Sequence, residues 1–368
     1  MGKKRAFAEG ETIKSTVSGT RYTVGDALGE GGFGQVYRAY ELNRYSKVVN
    51  DVCLKATLDA TSWHRESYFG HLLQENRRVI QLMDSFPLQT KSSKKMYFCL
   101  VFELAVHGTV ESYLEETGKG WTADRTKREI CALLKVLDQL HGGSATHRDL
   151  TPGNIFVCAN GRLKLGDFGI AAHSLAGKPG AVEAFNPEFV TRGFQDSIHR
   201  HWLTADDVFQ MGQLMAMLLR GDASELLDRR AVNKLECDQA LKDVLKKAIG
   251  PRHQRFADAY EMLEAIEGRS QAKSKIRSLK GKTVVFTGPL SLRRFDAQVL
   301  VVQAGGRVAN SVTKDADIIV QGGRSPHYKN SHKGTKLKEV ERLINKGHKL
   351  EIIGEAEFRR LVRRKKRT

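Results

Sequence analysis

The chain has 368 residues, of which 40% are hydrophobic and 28% charged, with a formal net charge of +18. That length exceeds one typical domain, so two or three are expected. No apolar run reaches the roughly 20 residues of a membrane span, so no membrane-spanning helix is expected. MGKKRAFAEGE at the start has no apolar core, so no secretory leader is expected, and position six lacks the Ser or Thr of a myristoylation signal. Five scattered cysteines (Cys53, Cys99, Cys131, Cys158 and Cys237) without a CxxC pair fit reduced thiols in a cytosolic compartment. The charge is uneven: residues 271–368 carry 24 Lys and Arg against 8 Asp and Glu, whereas residues 1–270 carry 36 against 34. Such asymmetry predicts a polyanionic partner for the C-terminal part.

In chain order, LGEGGFGQVY (28–37) comes first, with Gly29, Gly31, Gly34 and Val36 in a GxGxxGxV frame. Glycines let a backbone pass close to phosphates without a Cβ clash, and the β-like run that follows predicts a hairpin rather than a helix start. DVCLKA (51–56) predicts a strand carrying Cys53 and Lys55, and the helix after it offers two carboxylates, Glu66 and Glu75. YFCLVFEL (97–104) reads as a buried strand. HRDLTPGN (147–154) and DFG (167–169) follow, separated by room for a short hairpin through Leu163 and Leu165. Phosphoryl transfer needs a carboxylate near the acceptor hydroxyl and oxygen ligands that hold Mg²⁺ on the phosphates. Asp149 suits the first role, Asn154 and Asp167 the second. ADDVFQMGQLMAMLLRG (205–221) predicts a largely apolar helix.

In order and spacing, residues 20–268 resemble a protein kinase domain. The resemblance implies that Lys55 grips the α- and β-phosphates of ATP and is tied by a carboxylate. Counting back from ENRRVIQLMDSF (75–86) favours Glu66, with Glu75 at the helix end facing solvent. Cys53 is expected over the adenine, Glu103 in the hinge whose backbone bonds the base, Phe102 as gate to the pocket behind it, and Phe156 as pocket floor. Glu188, in AFNPEF, is expected to brace Arg255, and Asp207 and Gly212 match the helix that anchors the lower lobe. Ser174 is the only hydroxyl side chain between Asp167 and Glu188. It is either a phosphorylation site paired by Arg148 or a plain loop serine. The pattern departs at Thr151, where Ser/Thr kinases usually carry a lysine, and at Ala181, where they usually carry a threonine. Pro152 follows the Ser/Thr form.

From Leu279 the pattern changes. LKGKTVVFTG predicts a strand ending at Thr287 and Gly288, AQVLVVQAGG a helix stopped by Gly305-Gly306, and RVANSVTKDADIIVQG two short strands. GTKLKEVERLINKG predicts an amphipathic helix with Leu337, Val340 and Ile344 on one face. A last strand and a basic helix close the chain. This order resembles a BRCT domain of the type found in bacterial NAD-dependent DNA ligases, including Phe358 in place of the tryptophan common elsewhere in that family. The resemblance implies a phosphate socket from Thr287, the Gly288 backbone and Lys336. The alternative is that Thr287-Gly288 is only the turn that the fold requires. Seven cations from Arg359 to Arg367 favour DNA, as a nick or a 5′-phosphate end, over a phosphoprotein, while RRKKR could equally serve as a nuclear address.

The expected architecture is therefore α+β, a bilobal protein-kinase fold followed by a small α/β BRCT domain with a parallel sheet. Its expected parts are an N-terminal extension (1–19), the kinase domain (20–268), a linker (269–277), the BRCT domain (278–362) and a basic tail (363–368). The expected function is Ser/Thr phosphorylation of protein substrates with ATP and Mg²⁺, the BRCT domain recruiting the enzyme to DNA or phosphorylated partners. No membrane association is expected. The expected location is cytoplasmic, nucleoid-associated in a bacterium or nuclear in a eukaryote. The rival is a weak or inactive kinase scaffold carrying a DNA- or phosphate-binding module, and a third reading makes the BRCT domain a homodimerisation unit.

Overall fold

The computed structural model describes residues 5–31, 34–90, 94–143, 145–173, 185–195, 201–268, 276–288, 290, 294–322 and 335–363. The chain divides into two compact units, with the main boundary between Ile266 and Glu267.

The first unit opens with β1 (Thr12–Lys14), β2 (Arg21–Gly31), β3 (Gly34–Leu42) and β4 (Val48–Thr57). Helix α1 (Ala60–Leu72) follows, its first turn capped by the Asp59 side chain accepting from the Thr61 N–H. Then come β5 (Leu82–Gln89) and β6 (Met96–Glu103). The six strands form one antiparallel sheet in the order β1-β2-β3-β4-β6-β5. Strand side chains alternate between faces. Tyr37, Ala39, Val52, Leu54, Ala56, Cys99 and Val101 point into one apolar core. Val36, Cys53, Lys55, Leu100 and Phe102, paired across β3, β4 and β6, share the other face.

The described part of the expected N-terminal extension (1–19) packs onto this sheet. β1 pairs with β2, and Phe7 is buried in the core between Tyr37 and Tyr97, with ring centroids 6.0 and 5.8 Å away. The Ala6 N–H donates to Gln35 Oε1 at 2.7 Å. A three-residue strand shows no alternation long enough to read, so the sequence hides it.

The lower lobe contains α2 (Val110–Thr117), α3 (Ala123–Gly142), β7 (Ala145–Thr146), β8 (Ile155–Val157), β9 (Leu163–Leu165), β10 (Ala172–His173), α4 (Arg192–Gln195), α5 (Thr204–Arg220), α6 (Gln239–Ala248) and α7 (Ala259–Ile266). β8 and β9 make the expected hairpin. α5 is buried along nearly its whole length. A Cβ at Gly212 would meet the Ala248 Cβ at 2.8 Å, so glycine there lets α5 and α6 approach.

The expected Glu188–Arg255 brace is corrected. Glu188 is exposed. The buried Arg255 guanidinium instead pairs with Asp206 Oδ1 at 3.1 Å and donates to the Ala205 and Gly250 carbonyls. Asp206 also accepts from the Leu203 N–H in the first turn of α5 and pairs with Arg252. A carboxylate at the helix start is held by the turn itself and needs no loop to bring it to Arg255.

The second unit runs β11 (Thr283–Thr287), α8 (Arg294–Gln303), β12 (Arg307–Ala309), β13 (Ile318–Gln321), α9 (Thr335–Asn345), β14 (Glu351–Gly354) and α10 (Glu355–Arg363). Its four strands are all parallel, in the order β12-β11-β13-β14. Parallel sheets are covered on both faces, which explains the unbroken apolar runs. Val284, Phe286, Ile318, Val320 and Ile353 pack with Ala297 and Val301 of α8 and Phe358 and Leu361 of α10. Val285 and Ile319 pack on the other face with Val340 and Leu343 of α9. Phe358 meets Phe286 edge to face at 5.3 Å. Of the face expected on α9, Val340 is buried, but Ile344 is exposed and Leu343 takes its place. Leu337 lies where side chains are not described.

Candidate active site

The period of β4 puts Lys55 and Cys53 on the sheet face opposite the core. Lys55 Nζ lies 2.8 Å from Glu66 Oε2 and 3.0 Å from Asp167 Oδ2. The Glu66 carboxylate comes from the buried side of α1, whereas Glu75 is exposed beyond its end. One lysine thus joins the sheet, the helix and the DFG turn. Burial pulls the ammonium pKa down, and the two carboxylates more than reverse that, leaving it raised. Burial would also raise Asp167, but Lys55 holds it below the usual carboxylate range. Glu66, wholly buried, is pushed up.

The DFG turn is seated by its phenylalanine. Phe168 is buried, with its ring 5.8 Å from Phe69 of α1 and 4.7 Å from His147. The His147 imidazole, its pKa lowered by burial, bonds the Gly166 carbonyl through Nε2 at 3.2 Å. Asp167 itself has φ +51°, a left-handed conformation uncommon for a non-glycine residue and found where surroundings over-determine it.

Asp149 stands at the centre of the turn 147–154. Its Oδ2 accepts from Asn154 Nδ2 at 2.8 Å, while its Oδ1 is buried without a hydrogen-bond partner. Burial, reinforced by the Asp167 charge, pushes its pKa up to about 7. Because Asn154 turns its N–H groups toward Asp149, its amide oxygen is left for another ligand. The Asn154 carbonyl accepts from the Gly166 N–H at 3.1 Å, which sets Asn154 beside Asp167. A carboxylate and an amide oxygen fit Mg²⁺, a hard cation that keeps several waters and takes few protein ligands. Among the described residues no cluster of three or more His, Cys, Asp or Glu forms a separate metal cage.

The glycine loop follows the expected hairpin: Gly29 pairs with Val36 and Gly31 with Gly34. Gly34 has φ +135°, and a Cβ there would meet the Ala56 carbonyl oxygen at 2.5 Å, so no other residue fits without displacing β4. Val36, Cys53 and Phe102 make an apolar roof on the sheet face that carries Lys55. Burial pushes the Cys53 thiol up to about 12, so it stays protonated. At the end of β6 the Glu103 side chain is occupied, accepting from the Gln81 N–H at 2.9 Å and pairing with Lys164, and its own N–H donates to the Gln81 carbonyl at 3.0 Å, so neither is free for a base. Phe156 is half-buried on β8.

Asp207 carries more than its expected anchoring role. Its Oδ2 accepts from the His147 N–H at 2.9 Å, and its Oδ1 accepts from the Arg148 N–H at 3.0 Å and from Trp202 Nε1 at 2.8 Å. Gln210, one turn on, accepts from the Leu150 N–H at 3.0 Å. The sequence reading missed Gln210, although a buried polar residue in an apolar helix was the available signal. Glu129 was missed too: it binds Arg78 and the Leu163 N–H under the β8–β9 hairpin, and these contacts lower its pKa against the effect of burial. Ser174 and Ala181 lie outside the described residues. Arg148 is buried with φ +74°, its Nε donating to Thr146 Oγ1 at 3.2 Å. Thr151 is buried at the start of the Pro152–Asn154 turn. In the second unit Thr287 is buried at the end of β11, and Gly288 has φ +75° with its carbonyl accepting from Arg294 at 2.6 Å. Lys336 lies in the first turn of α9, where side chains are not described.

Residues 22–278 match the protein kinase domain family, a stretch that runs through the expected linker. The chain is 28% identical over 232 residues to mitogen-activated protein kinase 16 of Arabidopsis thaliana, covering 60% of this chain and 39% of that protein. It is 27% identical over 270 residues to serine/threonine-protein kinase PLK4 of Drosophila ananassae, covering 70% and 31%. It is 27% identical over 222 residues to serine/threonine-protein kinase Aurora-2 of Arabidopsis thaliana, covering 58% and 73%. The chain therefore spans well under half the length of the first two. It belongs to the protein kinase family.

Proposed function

We propose that the chain is a Ser/Thr protein kinase that transfers the γ-phosphate of ATP to protein hydroxyls. The observation that carries this reading is Lys55 held at once by Glu66 and Asp167, at 2.8 and 3.0 Å. Such a set would bring a fixed cation and a carboxylate together where a triphosphate and its Mg²⁺ are to be held. The glycine hairpin would cover the phosphates, Lys55 would neutralise the α- and β-phosphates, and Asp149 would orient the acceptor hydroxyl and accept its proton through the unpartnered Oδ1. Asp167 and the Asn154 amide oxygen would hold Mg²⁺, which supplies charge neutralisation at the phosphates. Similarity to kinases whose names specify serine and threonine supports that acceptor class.

The second unit is read as a BRCT-like module that recruits the kinase to DNA or to phosphorylated partners. Its parallel sheet covered on both faces, the placement of Thr287 and Gly288 at the end of β11, and the basic C-terminal charge support this reading. The rival, a weak or inactive scaffold, draws support from Thr151, which leaves no lysine two residues after Asp149.

Labelled γ-phosphate incorporation from Mg-ATP, into the protein itself and a generic acceptor, decides between them. Wild type should label, Asp167→Ala should not, and nicked DNA should raise the wild-type rate. Absence of label with ATP binding intact would establish the scaffold.

A further inference from the structure

Gln210 is 1% exposed and uses both ends of its amide. Its Oε1 accepts the Leu150 N–H at 3.0 Å, and its Nε2 donates to the Arg148 carbonyl at 3.3 Å and to the Phe189 carbonyl at 3.2 Å. The first two groups belong to the peptide units on either side of Asp149. The third belongs to the turn Pro187–Phe189. One side chain on a rigid buried helix therefore ties both flanks of Asp149 to a second segment.

That turn borders the same edge of the site. Burial first, then the charges of Glu115 and Glu188, raise the pKa of Glu111, so Glu188 stands within electrostatic reach of it. Glu111 Oε2 lies 3.2 Å from where a Cβ on Gly153 would be, in the turn that follows Asp149. The residue preceding Asp149, Arg148, is held at φ +74°, a conformation that persists only when its surroundings enforce it. Asp207 fixes its N–H and Gln210 its carbonyl. An apolar residue would fill the volume of Gln210 and would satisfy none of these groups.

We infer that Gln210 is a positioning residue that holds the Asp149 carboxylate at a fixed offset from the 187–189 turn, so that an acceptor peptide lying along that turn meets Asp149 in register. The inference rests on the kinase reading and assigns Gln210 no contact with substrate.

The test is Gln210→Leu in the full-length chain, with kinetics, hydrogen exchange of the segment 146–154 and thermal melting. The expected result is a kcat lower by ten- to a hundred-fold, a several-fold higher KM for the acceptor and a KM for ATP within twofold of wild type. Exchange of 146–154 should speed up while that of 208–219 stays protected. Gln210→Glu keeps an acceptor for Leu150 but sets its second carboxyl oxygen against the Arg148 and Phe189 carbonyls in a buried site, so it should lower kcat at least as far as Gln210→Leu. Unchanged kcat and exchange would overturn the inference. So would a loss of activity that merely tracks the loss of folded protein, with KM for ATP and for the acceptor moving together. A wild type that transfers no phosphate would sink the kinase reading, while the exchange result would still decide whether Gln210 holds the loop.

Discussion

At the scale of single residues, Asp149 pits function against stability. Its folded pKa of about 7 lies above the roughly 3.9 of an unfolded aspartate, so between those values the folded protein binds the extra proton. Stability from this group is then greatest at low pH and falls as pH rises through about 7. Asp149→Asn should therefore raise the melting temperature at pH 8 more than at pH 5. The same change should lower transfer by about a thousand-fold, the scale of a lost general base. Wild-type kcat should rise with pH through about 7, and a flat profile from pH 5.5 to 8.5 would count against Asp149 as the proton acceptor. Lys55→Met is predicted to cost about 3 kcal/mol of stability, because it leaves two carboxylates buried without their cation. The loss should shrink as pH falls and those groups take up protons, which denaturant midpoints at pH 5 and 8 would reveal. Lys55, Glu66, Asn154 and Asp167 were legible in the sequence because the roles proposed for them rest on their side chains, so identity and spacing are both constrained. Asp207 and Gln210 act on backbone N–H and C=O groups, which every residue carries, so their partners at positions 147–150 leave no trace in sequence.

Among elements, the first strand was the least legible and is open to a direct check. Phe7 packs between Tyr37 and Tyr97 ahead of a strand only three residues long. Phe7→Ala should destabilise the first unit by about 3 kcal/mol, as for other buried aromatics, whereas Tyr45→Ala, at a site 67% exposed, should change it by less than about 0.5 kcal/mol. A null effect of Phe7→Ala in urea unfolding would return residues 5–14 to the status of a loose extension. In the second unit the unbroken apolar runs of β11 and β13 were readable, but the register of α9 was not, because Leu343 and Ile344 are adjacent and equally apolar. Leu343→Ala should cost about 2–4 kcal/mol and Ile344→Ala little, as denaturant midpoints would show.

Across the whole molecule, the charge division and the motif order together announced two units, and the boundary at Ile266 and Glu267 falls two residues before the expected end of the kinase domain. The proposed attraction of the C-terminal part to nucleic acid makes a quantitative claim. Binding of the full-length chain to nicked duplex should weaken at least a hundred-fold between 50 and 200 mM salt, and removal of residues 363–368 should lower the slope of log affinity against log salt by about 4.5, near 0.9 for each of five cations lost. A slope unaffected by that truncation would place the anion contacts elsewhere.

The bonds from α5 to the catalytic loop also bear on how the protein is made. All neighbours in the six-stranded sheet except β4 and β6 follow one another along the chain, so this lobe can form while it is still emerging from the ribosome. The backbone around Asp149 cannot do the same, since its partners Asp207 and Gln210 are synthesised about 60 residues later. A nascent chain stalled near residue 200 would hold an ordered nucleotide lobe with an unset catalytic loop. The proposed activity would thus arrive late in synthesis, when the helix beginning at Thr204 clears the exit tunnel.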